Sequence, residues 1–390
     1  MTAATIIEVI RDLVAFDTTS REPNRALIEY VRDRLAVIGV ASDLIWDQAG
    51  RKANLWATIG PDDRPGVVLS GHTDVVPVDG QAWSSDPFVL REGDGRLYGR
   101  GTADMKSFIA TALALAPEMA RRKLATPIHF AFSHDEEIGC VGVKSLIDRL
   151  RRRKVKPALC IVGEPTEMQV VVGHKGGRSY RVTVRGREAH SSLAPQAVNA
   201  IEYAAELIAH LAEMARRMAA DGPHDHGFDI PCTTLQTGLV RGGTAINIVP
   251  KDCEFVFEFR HLPEVDPDAV FTAVETYARE VLEPRMRSVA TDAAIKFEPV
   301  YAYPGLLIEP GHPAVTLVKS LVGRNDHGKV AFGTEGGLFQ GEVGIPTVVC
   351  GPGSIREAHK PDEFIALDQI GRCEMFLRRL IDRLEAGPAL

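Results

Sequence analysis

Four short apolar runs in this chain each lead into a side chain that can carry a proton or bind a metal ion. "VVLSGHTD" ends at His72 and Asp74, and "PIHFAFSHDEE" ends at His134, Asp135, Glu136 and Glu137. "ALCIVGEP" ends at Glu164, and "TVVCGPGSIREAH" leads to His359. Runs of this length, rich in β-branched residues, read as buried strands. Helical patterns alternate with them: "NRALIEYVRDRLAVIG", "MKSFIATALALAPEMARRK" and "GVKSLIDRLRRR". The alternation predicts an α/β domain layered on a mostly parallel central sheet. Ligands of such sheets bind in the crevice beyond the carboxyl ends of the strands. The four polar ends therefore converge, and Asp104 in "LYGRGTADMK", just ahead of a helix, joins them.

The middle of the chain follows a different pattern. "RSYRVTVRG" alternates as a half-exposed strand does, and a long helical pattern, "NAIEYAAELIAHLAEMARRM", follows it. Next come "TTLQTGLV" and "CEFVFEFRHL", in which Phe255, Phe257 and Phe259 share one face. A helix, "PDAVFTAVETYAREVL", and a strand, "AAIKFEPVYA", complete the order β-α-β-β-α-β. That order is the split, ferredoxin-like arrangement with an antiparallel sheet. The expectation is an inserted domain over residues 178–292, with 1–177 and 293–390 forming the main domain.

Composition excludes several classes. Net charge is −7 over 390 residues, with both signs interspersed, so a basic nucleic-acid-binding face is not expected. No run of 18 apolar residues occurs, so no membrane span is expected. Glu8, Arg11 and Asp12 interrupt the apolar spacing near the start as no secretory signal would. The six cysteines form no C-x-x-C pair and read as buried thiols in a reducing compartment, so the cytoplasm is expected. No G-x-G-x-x-G or G-x-x-x-x-G-K-[ST] loop follows a strand, and no G-x-S-x-G elbow is present.

Two imidazoles and several carboxylates brought together repel one another unless cations neutralise them. Nitrogen and oxygen ligands without thiolate suit zinc, with cobalt or manganese as substitutes. Asp104 is placed to bridge two such ions, and paired ions about 3.5–4 Å apart serve hydrolysis. His72 and Asp74 lie two apart on a strand and share a face, so Asp74 is expected to orient the imidazole. Glu136 and Glu137 are adjacent and diverge, so one can bind metal while the other acts as general base on water. His134, Asp135, and the pair His224 and His226 are read as structural.

The blocks "SGHTDVVP", "WSSDPF", "GRLYGRGTADMK", "HDEEIG", "GEPT", "AHSS", "GGTAINIVP" and "GPGSIREAHKPDE" resemble, in order and over about residues 6–380, one family. It is the acetylornithine deacetylase and succinyl-diaminopimelate desuccinylase family of dinuclear zinc amidohydrolases. The resemblance implies a zinc-peptidase-like catalytic domain with an inserted ferredoxin-like lid that pairs two subunits. It implies His72 and Glu164 as ligands of one zinc, Glu137 and His359 as ligands of the other, and Asp104 between them. Glu136 falls at the general-base position. His190 in "AHSS" falls where a lid histidine reaches the partner's active site and polarises the scissile carbonyl. Asn247 and Arg260 resemble lid residues that hold the substrate, Arg260 through a carboxylate.

Within that family, "FGTEGGLFQ" resembles the acetylornithine deacetylase branch through Thr334 and Glu335. Glu335 is expected to hold the amine of a cationic substrate. Ser107 departs from the family, which commonly has glycine there. The activity implied is hydrolysis of N-acetyl-L-ornithine to ornithine and acetate, within arginine biosynthesis. Desuccinylation of N-succinyl-diaminopimelate, action on another N-acyl amino acid or a peptide, and a non-catalytic metal-binding role are the alternatives.

Overall fold

The structure is a computed structural model that describes residues 3–387. Up to His174 the described chain forms strands β1 (Ser42–Trp46), β2 (Ala53–Ile59), β3 (Val67–His72), β4 (Arg91–Gly93), β5 (Arg96–Tyr98), β6 (Ile128–Ser133), β7 (Leu159–Pro165) and β8 (Val171–His174). Next come β9 (Gly176–Arg185), β10 (Thr234–Gly242), β11 (Asp252–His261) and β12 (Ala294–Tyr303). The last are β13 (Leu306–Leu307), β14 (Gly328–Val330), β15 (Thr347–Gly351) and β16 (Phe364–Ala366). Two compact units result: Met1–His174 with Leu306–Leu390, and Lys175–Gly305.

The first unit is an α/β layer structure around a nine-stranded mixed sheet. Its order is β1-β2-β6-β3-β7-β15-β8-β13, with β14 paired to β8. The central run β6-β3-β7-β15 is parallel. The flanks are antiparallel, β1 and β2 on one side and β13 against β8 on the other. The sheet is therefore mixed, and the mostly parallel expectation describes its centre. Parallel strands covered on both faces require continuous apolar sequence, and every residue of β3, β6, β7 and β15 is buried.

The helix Lys106–Arg121 lies against this centre and buries Phe108, Ile109 and Leu113. Packing is close at Gly163, where an added Cβ would stand 2.1 Å from the Phe108 ring. A Cβ on Gly351 would stand 2.0 Å from the Gly163 carbonyl oxygen. Only glycine at these positions lets β7, β15 and the helix approach so nearly, next to Glu164.

The second unit has the order strand, helix, strand, strand, helix, strand, and its antiparallel sheet runs β10-β11-β9-β12. Phe255, Phe257 and Phe259 of β11 are buried among Leu207, Leu211 and Met214 of the helix Ala200–Asp221. Residue 292 falls short as a boundary. β12 pairs with β9 from Ala294 to Tyr303, and this pairing carries the unit on to Gly305.

His129 of β6 is a buried polar residue of the first unit that serves the fold. Its Nδ1 lies 3.0 Å from Thr58 Oγ1 and its ring stacks on Trp56 at 4.8 Å. Burial, aided by the charge of Arg153, lowers its pKa to about 4. The neutral ring is the folded form, so its contribution is complete above the unfolded value near 6.5 and is lost as pH falls toward 4. The shift corresponds to at most about 3 kcal/mol. Denaturant unfolding of wild type and His129→Gln should show a stability gap that shrinks from pH 7 to pH 4. A gap independent of pH would remove the linkage.

Candidate metal centre

Three of the polar strand ends meet, together with Asp104 and His359, in the first unit. His72 closes β3, Glu164 lies near the end of β7, and Glu136 and Glu137 lie in the loop after β6, beyond His134 and Asp135. His72 Nε2 lies 3.0 Å from Asp104 Oδ1 and 3.8 Å from Glu164 Oε1. His359 Nε2 lies 3.1 Å from Asp104 Oδ2 and 3.1 Å from Glu137 Oε2. Each trio, His72–Asp104–Glu164 and Asp104–Glu137–His359, offers ligand atoms within 4.8 Å of one another. Asp104 belongs to both and turns a different oxygen to each.

The donor chemistry fits a pair of cations. Burial works against charge at His72, yet the Asp104 hydrogen bond and the Glu164 charge outweigh it and raise its pKa well above 6.5. At His359 the hydrogen bonds to Asp104 and Glu137 raise the pKa to about 10. Burial, with Asp104 as a like charge, raises Glu137 to about 7 and Glu164 well above the carboxylate range. Burial also raises Glu136, and its neighbours Glu137, Glu335 and Asp104 add to it. Without metal the cluster is balanced by retained protons. Cations at the two trios would take their place, in an N/O donor set of the kind borderline divalent metals accept.

Asp74 does something other than expected. The partner of His72 Nδ1 is the Asp74 backbone oxygen at 2.9 Å, whereas its carboxylate stands 3.7 Å away. The carboxylate instead accepts the backbone N–H groups of Glu136 and Glu137 at 3.1 and 3.2 Å, and the Ser20 hydroxyl at 2.7 Å. One residue thus fixes the imidazole through its main chain and the adjacent glutamates through its side chain. The strand periodicity could place Asp74 beside His72, but not the loop from β6 that folds onto it.

Thr334 and Glu335 need correction as substrate-binding candidates. Both are fully buried. Glu335 accepts hydrogen bonds from Ser133 Oγ and from Ser70 Oγ, hydroxyls of the neighbouring strands β6 and β3. Burial raises its pKa to about 7 against those bonds. Thr334 Oγ1 accepts from the Gly336 N–H at 2.9 Å. The glycine-rich turn seats the acid beneath the strand ends, so it presents no charge to a substrate amine. Ser107, the departure from the family pattern, is buried and donates to the Thr102 carbonyl at 2.6 Å.

His134 and Asp135 bond to each other at 3.0 Å, and Asp135 pairs with Lys52 at 2.5 Å, in keeping with structural roles. In the second unit, His190 is exposed and its Nδ1 stands 2.8 Å from Ser192 Oγ. Asn247 is exposed, and its carbonyl accepts the Ser191 N–H at 3.0 Å. Arg260 donates to the Tyr303 hydroxyl at 2.9 Å and lies 3.8 Å from Glu258. Sequence reasoning missed Gln81, Arg100 and Glu363. They carry no ligand signature and are recognisable only by what they touch.

Comparison with known proteins identifies the family. Residues 68–383 match the model of peptidase family M20/M25/M40. The chain belongs to this family. Among its relatives, an acetylornithine deacetylase of Myxococcus xanthus is 35% identical, the alignment covering 97% of each chain. Another, of Pectobacterium carotovorum, is 36% identical over 80% of this chain and 79% of the relative. Among solved structures, an M20 family metallo-carboxypeptidase of Sulfolobus solfataricus shares the fold. Its TM-score is 0.78 at 19% identity, over 98% of this chain and 99% of that one. M20 members are metal-dependent hydrolases, and the two trios are the candidate ligands here. Among the described residues no helix is long and apolar enough to cross a membrane.

The Asp74 carboxylate gives a direct test. Asp74→Asn keeps the size but offers one acceptor oxygen where three donors arrive. Loss of such a supporting carboxylate should lower metal affinity or turnover about 10–100-fold, in protein that still folds but unfolds at a lower temperature because buried donors are left unmet. Unchanged turnover and metal content would deny Asp74 this role.

Proposed function

We propose that this chain hydrolyses the amide bond of an N-acyl amino acid, with N-acetyl-L-ornithine as substrate and ornithine and acetate as products. The observation that carries this reading is the shared Asp104: two ligand trios joined by one carboxylate, in a chain similar along almost its whole length to acetylornithine deacetylases. Two zinc ions are the proposed cofactors, with cobalt or manganese as substitutes. His72, Asp104 and Glu164 would hold one, and Asp104, Glu137 and His359 the other. Such ions supply Lewis acidity at the scissile carbonyl and at water.

The remaining steps belong to the protein. Glu136, partly buried and steered by Asp74 through its backbone N–H, takes a proton from the attacking water as the C–O bond forms. The same carboxyl returns that proton to the amine nitrogen as the C–N bond breaks. Its Oε1 also accepts the Cys140 thiol at 3.3 Å, which limits its rotation. His190, offered by a partner subunit, is the proposed donor to the developing oxyanion. Asn247 and Arg260 are the proposed holders of the substrate's carboxylate.

Pairing of two copies has support within the second unit. β10 is an edge strand of its sheet, and Leu239 and Val240 on it are 59% and 60% exposed. Ile246 in the following loop is fully exposed. Unpaired edges bearing apolar side chains are templates for a second chain. Light scattering of Leu239→Lys/Val240→Lys should show monomers where the unaltered protein shows dimers. A cytoplasmic location is proposed from the six cysteines, each unpaired and buried.

The deciding assay follows amine release by metal-stripped protein before and after zinc or cobalt is restored. N-acetyl-L-ornithine, N-succinyl-diaminopimelate and N-acetyl-methionine serve as substrates. Metal-dependent turnover greatest on N-acetyl-L-ornithine is expected. Greater turnover on another compound would overturn the substrate, and absence of turnover with metal bound would overturn the activity.

A further inference from the structure

Asp104 precedes a buried helix, whereas His359 sits on a loop, half exposed, with φ +63°. A non-glycine residue in the left-handed region persists where its surroundings over-determine it. Those surroundings are a second, wholly different cluster of side chains. Arg100 and Glu363 form an ion pair at 2.6 Å with each side chain 1% exposed. Glu363 Oε1 accepts the backbone N–H groups of Ala103 and Asp104 at 2.8 and 3.1 Å. Arg100 Nη2 donates to Gln81 Oε1 at 2.5 Å, and Gln81 Nε2 donates to the His359 carbonyl at 3.0 Å. Trp83 Nε1 donates to the same Gln81 oxygen at 3.0 Å and lies under the Arg100 guanidinium, fixing the amide's orientation.

We infer that Gln81, Arg100 and Glu363 are positioning residues that clamp the His359 loop to the Asp104 turn, and so set the occupancy of the Asp104–Glu137–His359 trio. The inference rests on the proposed metal centre but concerns residues that touch no proposed ligand atom. His72 and Glu164 have no need of the clamp, because β3 and β7 place them in the sheet. The chain of contact is continuous: carboxylate to the Asp104 turn, guanidinium to carboxylate and amide, amide to the His359 carbonyl. A buried Arg–Glu pair is a weak source of net stability, since desolvation offsets its attraction. Its planar fork holds direction well, and that is the property used here.

The clamp predicts an uneven effect on the two trios. Stripped wild type, Gln81→Ala, Gln81→Glu and Arg100→Lys would each be titrated with Co²⁺, followed by visible absorption and by metal content after dialysis. Gln81→Glu keeps the acceptor for Arg100 and Trp83 but sets an oxygen against the His359 carbonyl. In both Gln81 variants the first equivalent should bind within about twofold of wild type and the second at least tenfold more weakly, while Arg100→Lys, which also loosens Glu363 from the Asp104 turn shared by both trios, should weaken the second more than the first. Thermal unfolding of the metal-free proteins shows which variants fold. Should Arg100→Lys not fold, the partly exposed Gln81 variants carry the test. Unchanged binding of both equivalents, or equal weakening of both, would overturn the clamp. Failure of wild type to bind two ions would instead overturn the metal centre itself.

Discussion

The chemistry of this molecule depends on one carboxylate having two oxygens and using each in a different direction. Asp104 meets His72 through Oδ1 and His359 through Oδ2. A single charge held this way draws two imidazoles toward one point, each bringing its own carboxylate. Burial makes the arrangement costly when it is bare. The imidazoles and carboxylates gathered around Asp104, itself held in the charged form by its imidazole neighbours against burial, can balance only by retaining protons or by accepting cations. The protein around them keeps that balance local. Its strands end there, its glycines let those strands approach, and further carboxylates stand behind the first.

The supporting carboxylates divide the labour. Asp74 takes the N–H groups of the two glutamates, Glu363 those of Ala103 and Asp104, and Glu335 the hydroxyls of Ser70 and Ser133. Each is buried, and each binds donors from an element other than its own. The ligand geometry is therefore set by hydrogen bonds that cross between strand ends and loops. Changing a residue that touches no ligand can thus act on the ligands' separation.

The sequence makes the parallel centre of the sheet legible, because strands covered on both faces must be continuously apolar and β3, β6, β7 and β15 are. It makes the ligand types legible as well, because an imidazole or carboxylate at the end of such a run interrupts it abruptly. Short edge strands such as β1 and β13 are not, since their burial comes from neighbours and not from their own pattern. The Glu335 misreading has the same origin. An acid in a glycine-rich turn has the composition of an exposed loop, and only the seating of that turn under β3 and β6 buries it. Strand periodicity places Asp74 on the face of His72, yet its carboxylate answers to a loop 62 and 63 residues away in sequence, which periodicity cannot address.

These limits bear on how selectivity for a substrate can arise. With Glu335 enclosed by two serine hydroxyls, the acid that distinguishes "FGTEGG" acts on strands and not on a substrate amine. An enclosed acid whose pKa rises to about 7 lies close enough in charge to Glu136 to influence it, and burial, which removes solvent screening, enhances that influence. The feature that resembles the deacetylase branch is then tied to the electrostatics of the carboxylates around Asp104. A branch signature in sequence can mark how a site is tuned without marking what it grips.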